Sequence, residues 1–205
     1  MTRPLNWTGI LLAAGRGRRF DPSGNEDKLL QALPDGGSVA SQSVATLSGV
    51  VDHTFVVVRP DNLRLIEQLQ GLQHLQQSTY SLLSCLDADD GMAASLTSAL
   101  RHTQASVGWI IALADMPFVR LSTIRCVLQA LQDGADIAVP VYRGQRGHPV
   151  GFTRRHLPEL LSLSGDYGAR RLLQTYPVVE IAVDDPGILQ DIDQPTDLNA
   201  YLSKK

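Results

Sequence analysis

Short apolar runs alternate along the chain with stretches in which apolar residues return every third or fourth position. Thr8–Ala13, Thr54–Val58, Ser81–Ser84, Gly108–Leu113 and Ala135–Pro140 read as strands. Thr54-Phe55-Val56-Val57-Val58 is apolar without a break, the pattern of a strand covered on both faces. Between these runs, Val39–Leu47, Asp61–Gln70, Met92–His102 and Leu121–Gln132 carry helical spacing. Ser38, after the turn Asp35-Gly36-Gly37, is a natural N-cap for the first helix. No internal repeat is visible. Such alternation predicts a single-domain α/β fold of three layers, with a mostly parallel twisted sheet and right-handed crossovers. Ligands of such sheets collect at the carboxyl ends of the strands.

Composition narrows the class. At 205 residues the chain suits one domain with a sizeable core, and 43% hydrophobic and 19% charged residues are ordinary for a globular protein. A net charge of −3 argues against a general nucleic-acid binder, because the basic character is confined to Arg16–Arg19. Cys85 and Cys126 stand in unrelated contexts and make no metal spacing, so reduced thiols are expected. Met1–Trp7 lacks an apolar stretch after a basic start, and no run approaches the roughly 18 apolar residues of a membrane span. The expectation is a cytoplasmic protein without membrane partners.

Three polar clusters fall where strands are expected to end. The first follows Ile10-Leu11-Leu12-Ala13-Ala14: Gly15 and Gly17 allow close backbone approach to a ligand, while Arg16, Arg18, Arg19 and Lys28 supply charge suited to a polyphosphate. A solvated arginine-rich loop reads equally well from these residues alone. The stretch lacks the third glycine of a dinucleotide fingerprint and the Gly-Lys-Ser/Thr of a P-loop. The second is Asp115, delivered by Ala112-Leu113-Ala114 and followed by Met116-Pro117; it suits either a divalent cation or a turn. The third is Asp191-Ile192-Asp193, whose carboxylates would share one face of an extended strand and repel unless a cation or donors lie between them. Asp193 could equally cap a final helix beginning at Pro195. Gly91 and Ser95 flank a helix start whose free N–H groups could face an anion or nucleobase, and a capped surface helix reads equally well.

Taken together, Leu12-Ala13-Ala14-Gly15 through Arg19 and Lys28, Ala114-Asp115-Met116-Pro117, Gly91-x-x-x-Ser95, Gly147-His148-Pro149, Gly165-Asp166-Tyr167-Gly168-Ala169-Arg170 and Asp191-Ile192-Asp193 resemble the molybdenum-cofactor nucleotidyltransferases. That group lies within the nucleotide-diphospho-sugar transferase-like superfamily. The resemblance spans nearly the whole chain in the family's order, and Gly147-His148-Pro149 is similar to a segment of the cytidylyltransferase branch. It departs from the pattern at Asp21-Pro22-Ser23, an insertion that breaks the register between Phe20 and Asp27.

The resemblance implies Mg²⁺-dependent transfer of CMP from CTP to the phosphate of molybdopterin. Residues up to about 118 would bind nucleotide, and those from about 119 to 205 the acceptor. Leu12–Arg19, Lys28, Gly91, Ser95 and Asp115 would line the nucleotide site, with Arg19, Lys28 and Asp115 the catalytic set. Asp115 and Asp191 would ligate the metal, with Asp193 as fallback. Gly147, His148, Pro149, Asp166, Gly168 and Arg170 would receive the pterin, Arg170 and helix-start amides taking its phosphate. Ala13-Ala14-Gly15, rather than Ala-Gly-Gly, goes with cytidine in the family. Transient docking to a recipient molybdoenzyme or its chaperone is also implied.

Overall fold

The computed structural model describes residues 6–34, 36–76, 79–165 and 168–202. Eight strands form one mixed sheet: β1 Trp7–Leu12, β2 His53–Val58, β3 Tyr80–Ser84, β4 Gly108–Leu113, β5 Ile137–Tyr142, β6 Gln145–Arg146, β7 Val150–Thr153 and β8 Val179–Ala182. The helices are α1 Val39–Ser48, α2 Leu63–Gln76, α3 Met92–His102, α4 Leu121–Gln132, α5 Leu157–Leu161, α6 Arg170–Thr175 and α7 Pro195–Leu202. Strands β3, β2, β1 and β4 run parallel and side by side. Strand β7 then lies antiparallel between β4 and β5. The expected parallel alternation therefore holds for the first half and is interrupted by two reversed strands, β6 and β7.

Two residues show how β5 is flanked. Val141 pairs with Ala182 of β8 and Arg146 of β6, while Ala138 pairs with Val179 of β8 and Gly151 of β7. A strand residue has only two sides, so β8 covers one edge of β5 while β6 and β7 share the other. Gly147-His148-Pro149 is the break between those two pieces, and the His148–Pro149 peptide is cis.

Alternation along each strand feeds two cores. Leu11, Val56, Val58 and Ile110 face α1, α2 and α4, whose Val44, Leu47, Leu65, Leu69, Ile124 and Val127 are buried with them. Ile10, Val57, Trp109 and Ile111 face the other way, toward Leu96 and Leu100 of α3, Leu160 and Leu172. This is the three-layer arrangement the sequence predicts. Ser38 caps α1 with a reciprocal Ser38–Ser41 capping box. No helix among the described residues is long and apolar enough to cross a membrane.

Two expectations change. Asp191 and Asp193 lie in irregular chain rather than a strand, and Ile192 between them is fully buried. The N–H groups of Asp193 and Gln194 donate to Asp197 Oδ2 at 2.9 and 2.7 Å, which leaves the Asp193 carboxylate turned elsewhere.

Candidate functional site

The parallel strands end together. Leu12 is in register with Val57 on one side and Leu113 on the other, so the loops after β1, β2 and β4 open on one edge, with the β3–α3 connection beside them. They enclose a cleft of about 800 Å³. Leu12 through Arg19, Lys28, Gly91, Ser95 and Asp115 all line it, as does Asp193. Asp191 does not line it, although its carboxyl hydrogen-bonds that of Asp193.

The loop leaving β1 keeps its backbone donors open among the described residues. Ala13 N–H still bonds the Val57 carbonyl, and regular bonding resumes with Phe20 N–H to the Gly17 carbonyl. Between them, among the described residues, the N–H groups of Ala14, Gly15, Arg16, Gly17, Arg18 and Arg19 donate to no protein group. Backbone donors left open in sequence beside a cleft are the makings of an anion site. Gly17 stands at φ 63°, and the stem of Lys28 passes close to where its side chain would be.

The insertion folds on itself. Asp21 accepts from the N–H groups of Ser23, Asn25 and Glu26 at 2.7–2.9 Å and from the Ser23 hydroxyl at 2.6 Å. The Ser23 hydroxyl and these amides hold its carboxyl at a pKa of about 2. A carboxylate so fully occupied in its own loop is withdrawn from the cleft. Asp27 then caps the single turn Lys28–Leu30 and accepts from Asn62 Nδ2 at 2.6 Å, which fixes where Lys28 emerges.

At the floor, the ammonium of Lys28, a residue only 8% exposed, lies 2.7 Å from Asp115 Oδ2 and 3.0 Å from Asp193 Oδ1. Arg19 reaches the other Asp193 oxygen at 2.5 Å. Ser43 of α1 donates to the Ala114 carbonyl and Ile192 N–H to the Asp115 carbonyl, both at 2.9 Å. The first bond ties the end of β4 to α1, and the second ties it to the C-terminal segment and brings Asp193 beside Asp115. Burial alone would lower the Lys28 pKa, but Asp115 and Asp193 outweigh it and the ammonium is held charged. Burial would raise Asp193, yet Lys28 and Arg19 bring it below the ordinary carboxylate value. Asp191 is pushed up by burial and by the charges of Asp193 and Asp115.

The donor set suits a hard divalent cation. Asp115 Oδ1 is buried without a partner, with Asp193 and Asp191 nearby, and all three offer only carboxylate oxygen. Among the described residues, no three His, Cys, Asp or Glu side chains are grouped to hold a cation unaided. That matches a cation held by one or two carboxylates and completed by substrate phosphates.

Sequence reasoning missed Arg59 and Asp89. Arg59 follows β2 and Asp89 precedes α3; both line the cleft, and Asp89 is paired with Arg59 and Arg16. An arginine after a strand and an aspartate in Asp87-Ala88-Asp89-Asp90 look like solvated surface, and only their position at adjacent strand ends hints otherwise. The Ser95 hydroxyl makes no bond among the described residues and faces the cleft from the first turns of α3.

A second cleft of about 570 Å³ opens beside the first and shares Leu12, Met92 and Leu113 with it. Gly147, His148, Gly168 and Arg170 line it, together with Arg146 and an apolar wall. Arg170 makes no ion pair among the described residues, whereas Arg146 is bound to Glu180 at 2.7 Å. His148 is half-buried, and its Nδ1 is buried without a partner. Burial lowers its pKa, partly offset by Asp115 and the Ile111 backbone, so the ring is held neutral. Pro149 faces a small apolar space on the other side, and Asp166 lies outside the described residues.

Known proteins share this plan. Purine catabolism protein PucB of Bacillus subtilis is 34% identical over 196 residues, 91% of each chain. Nicotine blue oxidoreductase of Paenarthrobacter nicotinovorans is 28% identical, again over 91% of each. Among solved structures, Rv0371c of Mycobacterium tuberculosis superposes with a TM-score of 0.77 at 26% identity, covering 97% of this chain and 98% of that one. The same protein has been solved in complex with manganese, with a TM-score of 0.74 at 25% identity over 98% of this chain and 100% of that one. Residues 9–181 match the MobA-like NTP transferase domain, and the chain belongs to that family of nucleotidyltransferases.

Proposed function

We propose that this nucleotidyltransferase moves CMP from CTP to the terminal phosphate of molybdopterin. An acceptor phosphate oxygen attacks the α-phosphorus, the bond to the β-phosphate breaks, and pyrophosphate leaves. One observation carries the reading: the open amides of Ala14–Arg19, the Lys28 ammonium and the Asp115 carboxylate meet in a single cleft that continues into a second.

In this reading the loop amides, Arg19 and Lys28 take the triphosphate, and Ser95 and Gly91 lie toward the nucleoside. Asp115 with Asp193 or Asp191 would hold Mg²⁺, which would supply charge neutralisation and orientation of the triphosphate. No side chain need remove a proton, since the attacking phosphate is already ionised. The work of this chain is placement and electrostatic stabilisation. The neighbouring cleft suits an acceptor with a flat, largely apolar body, its anionic group met by Arg170 and a polar edge by His148 Nδ1. The choice of base is placed on Ala14, which lines the cleft with its methyl nearly buried and leaves less room than glycine would for a purine.

Pyrophosphate release by the purified protein with Mg²⁺, molybdopterin and each of CTP, GTP, ATP and UTP tests all of this. Turnover with CTP is expected. Turnover with GTP alone would refute the cytidine assignment. Failure with every nucleotide, with molybdopterin still bound, would point to a carrier rather than a transferase.

A further inference from the structure

The N–H groups of Ala14–Arg19 donate to no protein group among the described residues, and the Gly17 carbonyl, accepting from Phe20 and Asp21, anchors only the loop's far end, so side chains must hold the rest. Arg16 does so from one end. Its Nε and Nη2 donate to the two oxygens of Asp89 at 2.7 and 2.6 Å, across the mouth of the cleft. Arg59 donates to the same two oxygens from below, Nη1 at 3.0 Å and Nη2 at 3.1 Å, while its Nε holds Asp61 at 3.0 Å. Asp89 thus accepts two guanidinium forks at once. An isolated exposed ion pair contributes little, but four charge-assisted bonds converging on one carboxylate, with the Arg59 side chain only 10% exposed, make a fixed network.

We propose that Arg59 and Asp89 are positioning residues for the nucleotide loop, and that Arg16 serves as a strut to Asp89 rather than as a phosphate ligand. The inference rests on the nucleotide-transfer reading above. Arg16 carries the loop over to the β3–α3 connection, and Arg59 orients the carboxylate that receives it. The open amides are then arrayed before nucleotide arrives, so binding need not order them. A parked phosphate ligand would behave oppositely, because freeing Arg16 from Asp89 would help the nucleotide.

Steady-state kinetics with the purified full chain separates the two. Asp89→Asn and Arg59→Met should each raise KM for the nucleotide about five- to tenfold with kcat changed less than about twofold. The double variant Arg16→Met/Asp89→Asn should be no worse than the weaker single variant, as members of one unit are not additive. An unchanged or lowered KM in Asp89→Asn, or additive losses, would overturn the proposal. Limited trypsin cleavage after Arg18 and Arg19 reads loop order without nucleotide or turnover. Cleavage should be several times faster in Asp89→Asn and Arg59→Met at unchanged melting temperature. Equal cleavage rates overturn the inference even if wild-type turnover is strong. Absent wild-type turnover with faster cleavage in the variants would sustain the strut and refute only the assigned reaction.

Discussion

The Lys28 ammonium lies 2.7 Å from Asp115 Oδ2 and 3.0 Å from Asp193 Oδ1, and Arg19 holds the other Asp193 oxygen. Lysine and a divalent cation would compete for the same oxygens, so the proposed reaction requires Lys28 to turn toward phosphate when metal and nucleotide bind. Metal and nucleotide should therefore bind together. Lys28→Met should bind Mn²⁺ without nucleotide at least about tenfold more tightly than wild type, while losing about a hundredfold or more in turnover. The variant leaves Asp115 without its cation beside Asp193, which keeps only Arg19, so in chelator it should melt below wild type and recover on adding Mn²⁺. A melting temperature indifferent to Mn²⁺ would defeat this account of Lys28.

Asp115 tests the other half of the contact. Its backbone is fixed by Ile192, and neighbouring Ala114 by Ser43, neither through the carboxylate. Asp115→Asn should keep the fold, judged by circular dichroism and melting, while lowering turnover by at least about a hundredfold. It should also weaken Mn²⁺ binding in the presence of nucleotide. Retained turnover would remove Asp115 from the metal site.

Much of this geometry was legible because it is local. The bounds of α3, β4 and α4 match those expected from apolar spacing, since each is a self-contained periodic segment. Helix α2 begins at Leu63 rather than Asp61, because Asn62 caps it by accepting from Leu65 N–H at 3.3 Å while Asp61 pairs with Arg59, and it runs on past Gln70 to Gln76. What was illegible depends on partners distant in sequence. Strand β7 enters reversed between β4 and β5, at a place where Gly151 leaves room for Leu131 and Val127 of α4. The turn of Asp193, rather than Asp191, into the cleft depends on buried Ile192 and on Asp197 holding two N–H groups, relations that no spacing rule contains.

His148 gives a pH dependence with a definite sign. Burial holds its folded-state pKa below the ordinary value of about 6.5, so the folded protein keeps it neutral where the unfolded chain takes up a proton. Its contribution is absent above about pH 6.5 and destabilising below, growing until the folded-state pKa is reached. Wild type should lose melting temperature between pH 7.5 and 5.5, and His148→Asn should lose less over the same range. Parallel curves for the two proteins would show that His148 titrates normally.

Two glycines of the site should respond oppositely to one methyl group. A Cβ on Gly147 would overlap the carbonyl oxygen of buried Ile188, the same oxygen that accepts from His148 N–H at 3.0 Å. The backbone there has no slack, because Gly147 N–H is itself bonded to the Pro140 carbonyl at 3.0 Å. Gly147→Ala should therefore cost about 1–3 kcal/mol of stability, visible as a lowered melting temperature. Gly15 has nothing within 4 Å of where its Cβ would stand, and its φ is not positive. Gly15→Ala should melt with wild type, yet place a methyl among the open amides of the loop and raise KM for the nucleotide. If Gly15→Ala melts like wild type and binds nucleotide equally well, phosphate does not approach this backbone, and the loop after β1 is not the triphosphate site.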